Sequence, residues 1–212
     1  FTGRLSLATH PWLADHAVMG TVLLPGTAFV ELAIRAGDQV GCDHLEELTL
    51  EAPLVLPERG AVQLQLVVGA PGDDGRRSLT VASRPHDADA RTEQLWTRHA
   101  TGLLTSRTAR PPADLGVWPP RDAAPVEVAH LYEDLASTGL QYGPVFQGLR
   151  AAWRRGDEVF AEVALSERAA AEAERFGIHP ALLDSALHAL GLGVLDSTDG
   201  AAGGRLPFAW SG

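Results

Sequence analysis

The feature that most constrains the fold is an almost wholly apolar helix late in the chain. Residues 180–195 read Pro-Ala-Leu-Leu-Asp-Ser-Ala-Leu-His-Ala-Leu-Gly-Leu-Gly-Val-Leu, where the polar side chains are Asp184, Ser185 and His188. A helix that is apolar almost all round is buried on every side. We therefore expect a sheet that curves around this helix.

A second apolar helix is predicted over Thr27–Ala36, where Pro25-Gly26 begins it and where Gly37 and Gly41 break it. Runs with strand-like patterning lie on both sides of this helix. In the first half they are Gly3–Ala8, Leu48–Leu56, Val62–Val68, Ser78–Ser83 and Gln94–Thr105. The Pro71–Gly75 segment predicts a hairpin turn between the third and fourth of them.

The second half repeats this order of elements in a weaker form. It predicts a helix over His130–Ser137, strands over Val145–Trp153 and Val159–Leu165, the apolar helix, and the start of another strand at Leu206. One helix with a long antiparallel run is an α+β pattern. Its double occurrence predicts a double hotdog, in which two antiparallel sheets each wrap a central apolar helix.

The chain divides accordingly into three parts. Residues 1–106 are the predicted N-terminal hotdog half, residues 107–127 a proline-rich linker, and residues 128–212 the C-terminal half. The second sheet has few predicted strands with which to wrap its helix. We therefore expect the C-terminal half to be truncated.

Composition excludes several classes of protein. The 212 residues carry 17 basic and 27 acidic side chains, a formal charge of −10, which disfavours nucleic acid as a partner. No apolar run reaches the ~20 residues that span a bilayer, and no export signal is visible. The single cysteine, Cys42, excludes an internal disulfide. We expect a cytoplasmic protein, and a lack of lysine and asparagine indicates a GC-rich bacterial gene.

Two segments could carry acid–base chemistry. Asp184 and His188 are four positions apart and so share one helical face. Burial raises the pKa of a carboxyl group, which then serves as a proton donor. His16 precedes an apolar segment that leads to Gly26, where a helix N-terminus offers free N–H groups that can stabilise a thioester oxygen as negative charge develops on it.

Other interpretations of these residues remain open at this point. Asp184 and His188 could form a buried structural hydrogen bond, and a histidine in an apolar loop such as His16 is more often structural. The three side chains are also ligand types that zinc accepts, although no short His–X–X–X–His spacing supports a zinc site.

Four ordered motifs span nearly the whole chain. They are His16-Ala-Val-Met-Gly20-Thr-Val-Leu-Leu-Pro25, Gly139-Leu-Gln-Tyr142-Gly143-Pro144-Val-Phe146, Asp184-Ser-Ala-Leu-His188 and Leu206-Pro-Phe-Ala-Trp210. They match the patterns His-x-x-x-Gly-x-x-x-x-Pro, Gly-Tyr-x-Tyr-Gly-Pro-x-Phe, Asp-x-x-x-Gln/His and Leu-Pro-Phe-x-Trp. The chain therefore resembles the dehydratase domain of modular type I polyketide synthases, with Leu140 in place of one tyrosine.

The resemblance implies a reaction and a role for each matched residue. The domain would remove water from a β-hydroxyacyl chain held on an acyl carrier protein. His16 would take the α-proton, Asp184 would protonate the departing hydroxyl, and the enolate-like oxygen would face N–H groups near Gly26. Tyr142 would hydrogen-bond near the hydroxyl or Asp184, and His188 would orient Asp184. The supporting or substrate-binding positions implied are Gly20, Pro25, Gly143 and Pro144.

The resemblance also implies partners. The acyl chain would arrive on the phosphopantetheine arm of the carrier, so the domain itself would need no cofactor. Arg150, Arg154 and Arg155 form the densest basic cluster and are a candidate docking site for the acidic carrier. A homodimer within a larger multidomain synthase is expected. The alternatives are a non-catalytic structural domain, a pyran-forming or isomerising relative, a thioesterase-like hydrolase and, weakest, a metal-dependent hydrolase.

Overall fold

The computed structural model describes residues 1–86, 95–106, 116–194 and 208–211. The strands in these ranges are β1 (Thr2–Leu5), β2 (His16–Val18), β3 (Thr21–Val22), β4 (His44–Leu50), β5 (Val62–Val68), β6 (Arg77–Pro85), β7 (Thr97–Thr105), β8 (Ala124–Val126), β9 (Leu140–Tyr142), β10 (Leu149–Arg155), β11 (Glu158–Val163) and β12 (Ala209–Ser211). The α-helices are α1 (Gly26–Val40), α2 (Leu131–Ser137), α3 (Glu167–Ala170) and α4 (Pro180–Val194). Short 3₁₀ helices span Pro11–Asp15 and Ala173–Arg175.

The first half is a six-stranded antiparallel sheet with α1 packed on its apolar face. The strand order is β1-β5-β6-β7-β4-β12. Phe29 and Ala33 of α1 are buried in one core with Leu48, Val81 and Leu104 of the sheet. The predicted strand Val62–Val68 and the hairpin that follows it are confirmed, since β5 and β6 pair antiparallel around the turn.

The described part of the second half contains a smaller sheet. A three-stranded sheet of order β11-β10-β8 packs against α4, which also contacts α1. The prediction that α4 is buried on every side is wrong, because Ala186 is exposed and Leu190 is 60% exposed. The described strands and α1 cover only part of the helix circumference.

A third sheet joins the two halves. Its order is β3-β2-β9, and the pairing of β2 with β9 sets His16 opposite Tyr142 and Val18 opposite Leu140. The strand β9 was not among the sequence predictions. It lies between Gly139, whose φ of 91° suits a turn, and the loop that follows Tyr142.

Two strands differ from the sequence predictions, β8 in its presence and β12 in its partner. β8 falls inside the segment interpreted as a linker and pairs with β10. β12 follows α4 but pairs with β4, so it forms the edge of the first sheet and not part of the second. The expectation that this strand would help to wrap α4 is therefore wrong, and Leu206, where it was expected to begin, lies outside the described residues.

Several predicted boundaries also shift, for local reasons. β4 ends at Leu50 and not at Leu56, because Pro53 has no N–H for a ladder and the preceding N–H groups of Glu51 and Ala52 both bond to the His99 carbonyl. Helix α1 continues through Gly37, where an added Cβ would lie 2.4 Å from the Cys42 carbonyl oxygen.

The strand predicted over Val145–Trp153 begins only at Leu149, because the residues before it form a loop tied to other elements. The Val145 N–H donates to Asp15 Oδ2 at 2.9 Å, and the Gly148 N–H donates to Ser185 Oγ at 3.1 Å. These bonds turn the backbone groups away from a strand partner. No helix among the described residues is long and apolar enough to cross a membrane.

Glu31 of α1 fastens the first half to the segment that leads into α4. Its carboxylate is buried and accepts the Gly177 N–H and the Ile178 N–H, both at 2.9 Å, together with Arg35 Nε at 3.0 Å. A buried carboxylate is stabilised when hydrogen bonds of this kind replace water. These contacts set the position of α4 relative to α1.

Replacing Glu31 with alanine should lower the free energy of unfolding by about 2 to 4 kcal/mol, because two backbone N–H groups and Arg35 lose a buried, charged acceptor. Urea unfolding followed by circular dichroism measures this change. The exposed Glu133→Ala is the matched control and should stay within about 0.5 kcal/mol of the parent. Equal stability of Glu31→Ala and the parent would show that these contacts do not join the halves.

Candidate active site

A cavity of about 320 Å³ lies between the two halves. His16 from β2 and Tyr142 from β9 line it, together with Asp184 and His188 from α4 and Gly26 at the start of α1. Its apolar walls include Phe29, Leu50, Leu140, Leu187 and Trp210. Five of the residues with a predicted role therefore share one largely apolar cavity.

The imidazole of His16 is held as a neutral base. It is buried, and its Nδ1 lies 3.0 Å from the carbonyl oxygen of Leu23. A carbonyl can only accept, so Nδ1 carries the proton and Nε2 keeps its lone pair. Burial lowers the pKa of His16, while the nearby charge of Asp184 raises it by less. The net effect favours the unprotonated form that proton abstraction requires.

Asp184 and His188 form the hydrogen bond that their spacing predicts. His188 Nε2 lies 3.1 Å from Asp184 Oδ2, and both side chains are buried. A hydroxyl group lies on the other side of the imidazole, since Tyr132 Oη is 3.4 Å from His188 Nδ1. The carboxyl group is thus oriented by α4 itself and by a residue of α2.

Tyr142 contributes its ring to the wall of the cavity. The ring centroid lies 4.2 Å from that of His188 and 5.6 Å from that of His16. Burial raises the pKa of Tyr142 strongly, and the charge of Asp184 raises it further, so the hydroxyl stays protonated. Within the described residues this hydroxyl forms no hydrogen bond with Asp184, and it remains a donor at the cavity.

The N-terminus of α1 also reaches the cavity. Pro25 precedes the helix in extended conformation, and the first N–H with a turn partner is that of Ala28, which donates to the Pro25 carbonyl. The N–H groups at a helix start have no partner within the helix and carry partial positive charge. Gly26 must be glycine here, because an added Cβ would lie 2.6 Å from Trp210 Cη2.

Gly20, Gly143 and Pro144 shape the surrounding backbone and do not line this cavity. Gly20 has a φ of 77° in the turn after β2, and its N–H donates to Gln141 Oε1 at 2.9 Å. Gly143 permits the close approach of Asp15, whose Cγ would lie 2.4 Å from an added Cβ. Pro144 is exposed in the loop that follows.

The arginine cluster lies at both ends of β10. Arg150 is exposed at the start of the strand, and Arg155 at its end pairs with Glu158 at 2.9 Å and stacks 5.1 Å from the Phe160 ring. Arg154 Nε donates to the Gly156 carbonyl at 3.1 Å. An ion pair between exposed side chains is weak, so a stronger acidic partner can compete for Arg155.

Two residues of the site had no predicted role. Tyr132 stands in a helix without any of the motifs, and its contact with His188 depends on the packing of α2 against α4. Trp210 belongs to a quoted motif, but its contact with Gly26 requires β12 to pair with β4. Neither contact follows from local sequence.

A zinc site finds no support in the described part of the chain. No group of three or more His, Cys, Asp and Glu side chains in it is arranged to hold a metal ion. His16, Asp184 and His188 share the cavity, but the hydrogen bonds described above engage Nδ1 of His16 and join His188 to Asp184.

Comparisons with known proteins agree with the geometry. A family model described as the polyketide synthase dehydratase domain matches residues 1–84. A second, described as the polyketide synthase dehydratase N-terminal domain, matches residues 110–212. Polyketide synthase GfsA of Streptomyces halstedii is 62% identical over 214 residues, which are 100% of this chain and 3% of that protein. The chain thus spans a small part of this curated relative.

Solved structures give the same result for the fold. One, from work on dehydratase substrate selection in the borrelidin and fluvirucin polyketide synthases, has a TM-score of 0.90 and 58% identity, covering 100% of this chain and 72% of that one. A bifunctional dehydratase-cyclase domain from ambruticin biosynthesis has a TM-score of 0.87 and 47% identity, covering 99% and 72%. The predicted double hotdog is confirmed, and this chain belongs to the polyketide synthase dehydratase domain family.

Proposed function

We propose that this domain removes water from a β-hydroxyacyl thioester on the phosphopantetheine arm of an acyl carrier protein and gives an α,β-unsaturated acyl chain. It would act as one copy of a homodimer in a cytoplasmic multidomain synthase. One observation carries the proposal: a neutral histidine from one half and a buried aspartic acid from the other line the same cavity.

The first step is removal of the α-proton. The Nε2 lone pair of His16 takes this proton, since Nδ1 is occupied by the bond to the Leu23 carbonyl. The electron pair of the C–H bond moves toward the thioester carbonyl, whose oxygen gains negative charge. The N–H groups at the start of α1 stabilise that charge in an apolar cavity, where such interactions are strong.

The second step is loss of the β-hydroxyl group. Asp184 donates a proton to the hydroxyl oxygen, the C–O bond breaks, and water leaves as the double bond forms. His16 has then gained one proton and Asp184 has lost one, so a proton must return to Asp184 before the next turnover. Acid–base groups account for every bond made and broken, and the proposed reaction therefore needs no cofactor.

A cyclised product is a second candidate outcome. The ambruticin relative is called a dehydratase-cyclase and shares this fold at 47% identity. A domain of this kind would convert a substrate with a further hydroxyl into a cyclic ether. Mass spectrometry does not separate isomers of this type, so the products of such a substrate are compared by nuclear magnetic resonance.

His16→Ala and Asp184→Asn should each reduce turnover of a short β-hydroxyacyl thioester by at least about 100-fold, because each removes one acid–base group. Loss of water is followed by mass spectrometry, and circular dichroism checks the fold. His130→Ala and Asp157→Asn, both exposed, are matched controls and should keep the parent rate. Dehydration at the parent rate by either cavity variant would refute the assigned role.

The activity should persist below the ordinary titration range of histidine. His16 acts only when neutral, and burial lowers its pKa from 6.5, so the neutral form survives to lower pH. The acid limb of kcat/KM, measured from pH 5 to 8 on a short thioester, should have its midpoint below 6.5. A midpoint above that value would mean that a different group limits the reaction at low pH.

Carrier docking at Arg150, Arg154 and Arg155 is the second part of the proposal. These side chains lie on β10, and Leu149 of the same strand bonds to Tyr132 beside the cavity. The whole chain has a charge of −10, so an acidic carrier needs a local basic surface of this kind.

Reversing both charges, Arg154→Glu with Arg155→Glu, should raise KM for the carrier-bound substrate about 10-fold, because an attraction becomes a repulsion. The same variant should turn over the short thioester at the parent rate, since that substrate has no carrier. An equal KM for the carrier-bound substrate in parent and variant would remove these residues from the docking site.

A further inference from the structure

Tyr132 contacts His188, the hydrogen-bond partner of Asp184, and is not among the residues that line the cavity. It is partly buried on α2, and its hydroxyl oxygen is 3.0 Å from the Leu149 backbone nitrogen and 3.4 Å from His188 Nδ1. The next bond in the chain is the 3.1 Å contact between His188 Nε2 and Asp184 Oδ2. Three contacts in series therefore join a backbone amide to Asp184.

The Leu149 amide restricts the direction of these hydrogen bonds. A backbone N–H only donates, so the Tyr132 oxygen accepts from Leu149 and its own proton points elsewhere. Two acceptors lie near that proton, His188 Nδ1 at 3.4 Å from the hydroxyl oxygen and the hydroxyl of Ser185. Ser185 Oγ already accepts from the Gly148 N–H, which favours His188 Nδ1 as the acceptor. An imidazole that accepts at Nδ1 carries its proton on Nε2 when neutral. Nε2–H then donates to Asp184 Oδ2.

This direction decides which oxygen of Asp184 can act as the acid. The proposed reaction requires a proton on Asp184. Because Oδ2 accepts from His188, that proton is on Oδ1, where it is available to a substrate hydroxyl. The opposite tautomer of His188 would present a lone pair at Nε2. That lone pair would accept the carboxyl proton and hold it away from the substrate.

We propose that Tyr132 is a positioning residue that fixes the His188 tautomer and thereby keeps the proton of Asp184 on the oxygen that meets the substrate. The inference rests on the proposed dehydration for its effect on turnover. The tautomer itself is a property of the protein without substrate.

The other ring contacts of Tyr132 make a clean substitution possible. Its ring packs edge-on against His188 with centroids 5.6 Å apart, and phenylalanine preserves that contact. The groups that face the His188 imidazole are Asp184 on its own helix, Tyr132 on α2, Tyr142 on β9 and, when it is protonated, His16 on β2. Tyr132→Phe removes only a hydroxyl from this set.

The first test reads the tautomer directly. With nitrogen-15 labelled histidine, two-bond proton–nitrogen correlation spectra show which ring nitrogen carries the hydrogen. The signals of His188 are assigned as those that are missing from the spectrum of His188→Gln. We expect Nε2–H for His188 in the parent and a shift toward Nδ1–H in Tyr132→Phe. His99 is an internal reference, since its Nδ1 bonds to the Ala52 carbonyl at 3.1 Å and should keep its proton in both proteins.

The second test measures turnover of a short β-hydroxyacyl thioester. Tyr132→Phe should lower kcat about 10-fold and leave KM within about twofold, because the acid is misdirected while the cavity is unchanged. Ser137→Ala removes an exposed hydroxyl from the same helix and should keep the parent kcat.

The outcomes separate the two proposals. Nδ1–H on His188 in the parent, or an unchanged tautomer in Tyr132→Phe, would overturn the positioning role whatever the kinetics show. A tautomer shift without loss of kcat would overturn it as well. If the parent never dehydrates the thioester but Tyr132→Phe still shifts the His188 tautomer, the hydrogen-bond chain is supported. That result would refute only the proposed function.

Discussion

The antiparallel pairing of β2 with β9 is the contact on which the site depends. It sets His16 opposite Tyr142, although 126 positions (142 minus 16) separate them. Main-chain hydrogen bonds between strands fix relative position to within a fraction of a residue, because a slip of one residue would turn every side chain to the opposite face. A base from one half can therefore be placed accurately against aromatic and acidic groups of the other.

Glu31 and Asp15 join the two halves at two further places. Glu31 accepts the N–H groups of the segment leading into α4, and Asp15 accepts the Val145 N–H from the loop after β9. Both carboxylates bond to backbone of the opposite half, so they fix chain position and not only side-chain orientation. The elements that carry His16 and Asp184 are thus fixed through backbone groups of both halves, and the cavity that these two residues share is lined mostly by apolar side chains.

The sequence pattern predicted those helices and strands that depend on the residues within them. The two apolar helices, the strand Val62–Val68 and its hairpin follow from periodicity and turn chemistry. The residues that the family resemblance gave a role include His16, Asp184, His188, Tyr142 and Gly26, and these five line one cavity. The partners of β8, β9 and β12 were not predictable in this way. Each is only three residues long and pairs with a distant strand, so tertiary contacts and not propensity define it. Tyr132 was overlooked for the same reason.

The edge position of β12 bears on how the chain folds as it is made. Ala209 pairs with Thr49, a separation of 160 positions (209 minus 49), so the first sheet lacks its last strand until the ribosome has passed the second half. During that interval β4 exposes a row of unpaired N–H and C=O groups, and such an edge can pair with other chains and aggregate. Synthesis thus leaves β4 unpaired on this side until residue 209 has been made, and the pairing of β12 then covers β4 and brings Trp210 to one wall of the cavity.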